Sequence, residues 1–149
     1  EMQAMTLHTE EISAMLMRKL RAYDEFESVT GVLLNALEGE EVATVDRCIE
    51  RREELMREIE GLDRRIDHHR RSAPLDQAPV INRLLTEMSG TLGGKLKEIM
   101  AADNECTAMA TQKRDDMREG LTVIRRQKEG FHGYARKPPR IPKFLNVQT

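Results

Sequence analysis

The chain has 149 residues, of which 34% are charged, 39% hydrophobic and only 3% aromatic, with nine Met and no Trp. That balance suits long helices with narrow apolar seams and argues against a β-sandwich or an α/β enzyme. The net charge is −2 and there are two Cys; the apolar runs are too short for a transmembrane helix or a signal-peptide core, and the Cys make no disulfide framework, so a cytoplasmic protein is expected.

The first helix is expected from about residue 9 to 37. Its seam is Ile12, Leu16, Lys19, Tyr23, Phe26, Thr30, Leu33 and Leu37, whose alternating steps of four and three are those of a coiled coil. Met15, Leu20, Val29 and Leu34 widen the stripe, as when a helix packs against two neighbours. Gly39 comes just after the last seam residue, where a left-handed residue would end the helix.

The second helix is expected over about 40–71, with Glu40 and Glu41 in its first turn. Val42, Val45, Ile49, Arg52, Met56, Ile59, Asp63 and Ile66 make its seam, flanked by Cys48, Leu55 and Leu62. The short link makes the two helices an antiparallel hairpin. Residues 72–79, bracketed by Pro74 and Pro79, read as a linker, with Asp76 as the N-cap of a third helix.

That third helix is expected to be long, over about 79–128, with Ile81, Leu85, Met88, Leu92, Leu96, Ile99, Cys106, Met109, Met117, Leu121 and Ile124 in its row. At 1.5 Å per residue it would reach about 70 Å, roughly twice a hairpin arm, so it must overhang or break. Ser89–Gly94, with three Gly in five residues, is the expected break. It reads either as a kink or close backbone approach, or as a hinge. The fold class is therefore all-α: an antiparallel hairpin plus a long third helix, an elongated three-helix coiled-coil-like bundle over 1–129. Residues 130–149 form a basic, Pro-interrupted tail carrying Phe131, Tyr134 and Phe144, read as a binding arm for another chain or for the body.

Charge is unevenly spread. Residues 1–60 hold fifteen acids and seven bases, residues 61–124 ten of each, and residues 125–149 only Glu129 against seven bases. A basic tail on an acidic body binds an anionic partner or folds back on its own helices. The tail has no regular basic helix and the body is acidic, so neither nucleic acid nor membrane insertion is expected. A rival that binds through the tail would show binding that falls steeply with salt.

Sequence motifs for chemistry are missing. There is no phosphate-binding glycine loop, no H-E-x-x-H and no C-x-x-C. His68 and His69 are adjacent, point about 100° apart on a helix and lie among Arg64, Arg65, Arg70 and Arg71, so no metal is expected there. No His follows a Glu by three, as a di-iron bundle would need. Cys48 and Cys106 sit on apolar rows as small hydrophobes. A non-enzyme without cofactor is expected. The Met residues on seam rows fill a core or line an adaptable groove for a partner helix, and an unpaired stretch of the third seam invites either self-association or a foreign amphipathic helix.

The stretch 33–42 (LLNALEGEEV), followed by 51–59 (RREELMREI), resembles the first hairpin of the FlgN/FliT-like flagellar export chaperones. Residues 96–100 (LKEIM) with Asn104 are similar to the long third helix of that family, and Gly133-Tyr134 followed by Phe144-Leu145-Asn146-Val147 resembles the C-terminus of some members. Two departures are the Ser89–Gly94 segment and Asn146 in place of Asp. The resemblance spans most of the chain. It implies a cytoplasmic chaperone of flagellar type III export that binds the C-terminal amphipathic helix of a hook-associated or filament-cap subunit and hands it to an export-gate component. The expected partner-binding residues are Leu96, Ile99, Met100, Met109, Met117 and Leu121, with Phe131 and Tyr134 covering the groove when it is empty. The alternative is a coiled-coil homo-oligomer or adaptor without a secreted client.

Overall fold

The computed structural model describes the backbone of residues 2–136 and the side chains of residues 7–114 and 118–131. The described chain is all-α. Helix α1 spans Met2–Glu38, α2 Val42–Ser72, α3 Ala78–Gln112 and α4 Arg114–Arg136, with a short 3-10 turn at Leu75–Gln77. Helix α1 lies between α2 and α3, and α4 packs against α3 and α2. Cross-helix pairs fix the directions. Lys95 meets Asp24 and Cys106 meets Thr30, so α3 runs parallel to α1. Gly120 lies over Val45 and Gly130 over Met56, so α4 runs parallel to α2 and returns along α3.

All eight positions of the first seam are buried, Lys19 and Thr30 with the rest. Side chains recurring at three and four residues share one face of a helix. In α2 the same holds from Val45 to Ile66 apart from the half-buried Met56, whereas Val42 at the helix start is 49% exposed.

The α1–α2 turn closes as a Schellman-type cap. The Glu41 amide donates to the Ala36 carbonyl at 2.9 Å and the Glu40 amide to the Leu37 carbonyl at 3.2 Å. The left-handed residue is Glu40, with φ of 56°, not Gly39. Glu41 is the N-cap of α2 and its first turn carries no acid. At the α2–α3 connection Asp76 lies in the 3-10 turn and the α3 N-cap is Gln77, without a side-chain capping bond. Pro79 sits in the first turn of α3, where a missing amide proton is harmless.

The single third helix expected over 79–128 is two helices. The chain is continuous through Ser89–Gly94 and reverses at Lys113 instead. The apolar row fails there, because the next seam position after Ala110 is Lys113. Lys113 adopts φ −106° and ψ 26°, outside the helical region. Its Nζ donates to the Glu38 carbonyl at 3.0 Å and pairs with Glu40 at 3.1 Å. One lysine thus ends α3 and satisfies an orphan carbonyl at the end of α1. The tail boundary moves as well: α4 runs through Gly130 to Arg136. The side chain of Tyr134 and residues 137–149, with the KPPRIP stretch and Phe144, lie outside the described residues.

Gly90, Gly93 and Gly94 make no close approach. A Cβ on any of them meets nothing within 4 Å. Gly90→Ala with Gly94→Ala is expected to raise the unfolding free energy by about 1–2 kcal/mol, since both are exposed mid-helix glycines. An increased urea midpoint with unchanged slope checks this.

Candidate functional site

The core divides into two apolar clusters. One gathers Ile12, Leu16, Ile59, Ile66, Leu85, Leu96 and Ile99; the other gathers Leu33, Leu37, Val45, Cys106, Leu121 and Ile124. Around the junction, side chains of the four helices are linked in series. Arg52 of α2 is fully buried and donates to the Asp103 carboxylate of α3, itself fully buried. The Arg52 guanidinium lies 4.6 Å from the Phe26 ring centroid of α1. The Phe131 ring of α4 packs edge-on against Phe26 at 4.6 Å between centroids, and against Tyr23 at 6.5 Å. A guanidinium over an aromatic face gains cation–π attraction, and perpendicular rings are a favoured aromatic geometry.

Helix α4 is held by few side chains. Its buried residues among those described are Leu121, Ile124, Gln127 and Phe131. Gln127 Nε2 donates to the Ile49 carbonyl at 3.1 Å. Gly130 of α4 packs against the end of the Met56 side chain of α2, where an added Cβ would stand 2.9 Å from the mobile Cε. The rest of its described face is exposed or half-buried.

A second buried pair joins α1 to α2, with Lys19 Nζ 2.6 Å from Asp63 and side chains 0% and 7% exposed. Burial lowers Lys19 from 10.5 to about 8, the Asp63 carboxylate opposing the fall, and burial with the same carboxylate pushes the Tyr23 phenol up. Burial pushes the Cys106 thiol from 9.0 up to about 12 and raises Cys48 too; both are protonated near neutral pH, unlike an activated thiolate.

Linkage fixes the sign for Lys19. Between pH 8 and 10.5 the unfolded chain holds a proton that the folded chain has lost, so stability rises with pH, by at most about 1.4 kcal/mol per unit. The Cys106 and Cys48 thiols, both raised by burial, oppose it from about pH 8 upward, because the unfolded thiols ionise first. A net gain of about half a kcal/mol is expected between pH 8 and 9. Urea midpoints in half-unit steps check it, and Lys19→Met with Asp63→Leu should flatten the curve.

The expected partner-binding residues fall into three groups. Leu96, Ile99, Leu121 and Phe131 are buried within the chain, at 3%, 0%, 8% and 1% exposure. Met100 and Met109 are half-buried, and the side chains of Met117 and Tyr134 lie outside the described residues. The overhanging free seam is therefore not present in this state: the reversal at Lys113 lays the would-be overhang back on the bundle as α4. Leu96 and Met100 also line an open depression of about 360 Å³ on α3 beside Gly90, Gly93 and Gly94.

Sequence reasoning passed over Asp103 and Gln127, both buried. A signal was available. Asp103 is four residues after Ile99 and three before Cys106, and Gln127 three after Ile124 and four before Phe131, so heptad counting places both on the seam. No family model, no curated protein and no solved structure matches the chain.

Proposed function

We propose that this chain is a cytoplasmic export chaperone of the flagellar type III kind, which binds the C-terminal amphipathic helix of a hook-associated or filament-cap subunit in the groove that α4 occupies here. The observation that carries the reading is the docking of α4: a helix of 23 residues whose buried contacts, among the described residues, are Leu121, Ile124, Gln127 and Phe131. An amphipathic helix resting in an apolar groove is the helix-in-groove mode of recognition, already satisfied in cis. With α4 lifted, α1 and α2 keep their hairpin and α3 is a helix of 35 residues, shorter than the third helix expected over 79–128, with Leu96, Ile99, Met100 and Met109 bordering the opened groove. The half-buried Met100 and Met109 supply side chains that repack around different clients.

In this scheme Phe131 reports the state of the groove. A client displaces it from Phe26 and Tyr23. Delivery to an export-gate component then requires only that α4 return.

The test is isothermal titration of the full chain with peptides from the C-terminal helices of hook-junction and filament-cap proteins. Micromolar binding that is lost with Met100→Asp plus Met109→Asp supports the reading. No binding to any of them by a folded, helical sample assigns the chain instead to the coiled-coil adaptors without a client.

A further inference from the structure

The reversal between α3 and α4 occupies one residue. Helix α3 ends at Gln112 and α4 begins at Arg114. The Lys113 amide still donates to the Met109 carbonyl at 3.1 Å, so the hydrogen-bond ladder of α3 reaches the turn intact. The backbone of Lys113, at φ −106° and ψ 26°, is what redirects the chain. Rotations of roughly 40° in φ and 70° in ψ would bring it into the helical region.

The local sequence is compatible with that rotation. No Gly or Pro lies between Gly94 and Gly120 to break a helix. The seam spacing also passes through the turn: Cys106, Ala110, Lys113, Met117, Leu121 and Ile124 follow one another at three or four residues. A straight helix over 78–136 would be about 88 Å long. It would also satisfy the last carbonyls of α3 and the first amides of α4, which two separate helix ends leave without intrahelical partners. Lys113 holds the bent form through the Glu38 carbonyl and Glu40.

A chain straightened at Lys113 carries α4 away from its own groove. The contacts given up are Gln127 on the Ile49 carbonyl, Phe131 on Phe26 and Gly120 against Val45. A second straightened copy offers the same groove, empty, and its own α4 for the first. Because α4 runs antiparallel to α3, two straightened chains laid antiparallel place each α4 on the other's α3. That arrangement closes with twofold symmetry. The α4 contacts are remade between chains, and no new surface is needed.

We propose that this chain forms a domain-swapped dimer, in which Lys113 is the hinge and α4 of each copy fills the groove of the other. No client is required: the groove holds the α4 sequence in both forms. Tethering gives α4 an effective concentration on the order of 1 mM at its own groove, so the bent monomer prevails in dilute solution and the dimer forms as concentration rises.

The test uses full chains in a Cys48→Ala, Cys106→Ala background, one carrying Val45→Cys and the other Gly120→Cys, each shown to be folded by circular dichroism. A Cβ at Gly120 stands 3.5 Å from Val45 Cγ1, within reach of a disulfide. The two new cysteines sit on different chains, so they meet only where α4 crosses over. The mixture is incubated at about 1 mM, oxidised and read by non-reducing electrophoresis, beside light scattering of the wild type. A disulfide-linked heterodimer is expected from the mixture and not from either variant alone. Lys113→Leu removes the Glu38 and Glu40 contacts and fills the gap in the apolar row, so it should tighten dimerisation at least about tenfold. Inserting Gly-Ser-Gly after Lys113 relaxes the bent link and interrupts the straight helix, so it should return the chain to a monomer. The proposal fails if the mixture gives no cross-link, if folded Lys113→Leu stays monomeric at about 1 mM, or if the dimer survives the insertion.

Discussion

Asp103→Ala is expected to lower the unfolding free energy by about 3–5 kcal/mol, measured by urea denaturation with far-ultraviolet circular dichroism as the signal. Both partners of the Arg52–Asp103 pair are fully buried. Removing the carboxylate leaves a guanidinium in an apolar junction with its principal counter-charge gone, and the cost of that desolvated charge exceeds the worth of any lost contact. For a domain whose total stability is of order 5–15 kcal/mol, the loss is large. The sign should reverse for the pair taken together. Arg52→Met with Asp103→Leu removes both charges and keeps an apolar fill, and it should recover most of the loss. A double variant as unstable as Asp103→Ala alone would show that packing around the pair, not its charge, sets the cost. Phe26 makes the same point from the other side, since its ring stays beneath whatever replaces the guanidinium.

Phe131→Ala should act on α4 more than on the whole fold. Truncating a buried Phe costs about 3–5 kcal/mol. The described α4 has two other apolar anchors, Leu121 and Ile124, each contributing about 1.5–3 kcal/mol of burial against the ordering of a long helix. Losing the largest anchor therefore undocks α4 before α1, α2 and α3 separate. Hydrogen exchange should show residues 118–131 losing protection while the core of α1 keeps it. If the groove binds a client helix, the same substitution raises apparent affinity, because the competent open state becomes populated. A shift of about 3 kcal/mol sets a ceiling of roughly a hundredfold. Weaker client binding in Phe131→Ala would overturn the view of α4 as a cover, and would make Phe131 part of the binding surface.

The fold class and the first two helices were legible in the sequence because the seams are long and their spacing regular. Lys19, Thr30, Arg52 and Asp63 interrupt those seams in composition but not in spacing, and all four are buried. The end of α3 was not legible. Three glycines in Ser89–Gly94 drew the break toward themselves on propensity, yet tertiary contact overrides propensity in a helix packed along its whole length. The real reversal is set by Lys113 reaching α1, a contact between residues 75 positions apart that no local window contains. Asp115 and Asp116, residue types favoured in a first helical turn, were the nearest local hint. Leu96 and Ile99 were identifiable as members of one apolar row, but that Leu121 lies on a separate helix packed back over the bundle is a consequence of the reversal.

The two buried ion pairs also act as an alignment code. Sliding α2 by one heptad along α1 would set Lys19 opposite Met56 or Arg70 in place of Asp63, and the same slip against α3 would set Asp103 opposite Val45 or Ile59 in place of Arg52. Apolar layers tolerate such a slip, since one leucine resembles the next. Charges in a dry interior do not, and each slipped state strands at least two of them. A bundle of near-interchangeable heptads is in this way given a single permitted alignment, at the cost of some stability that leucines would have supplied.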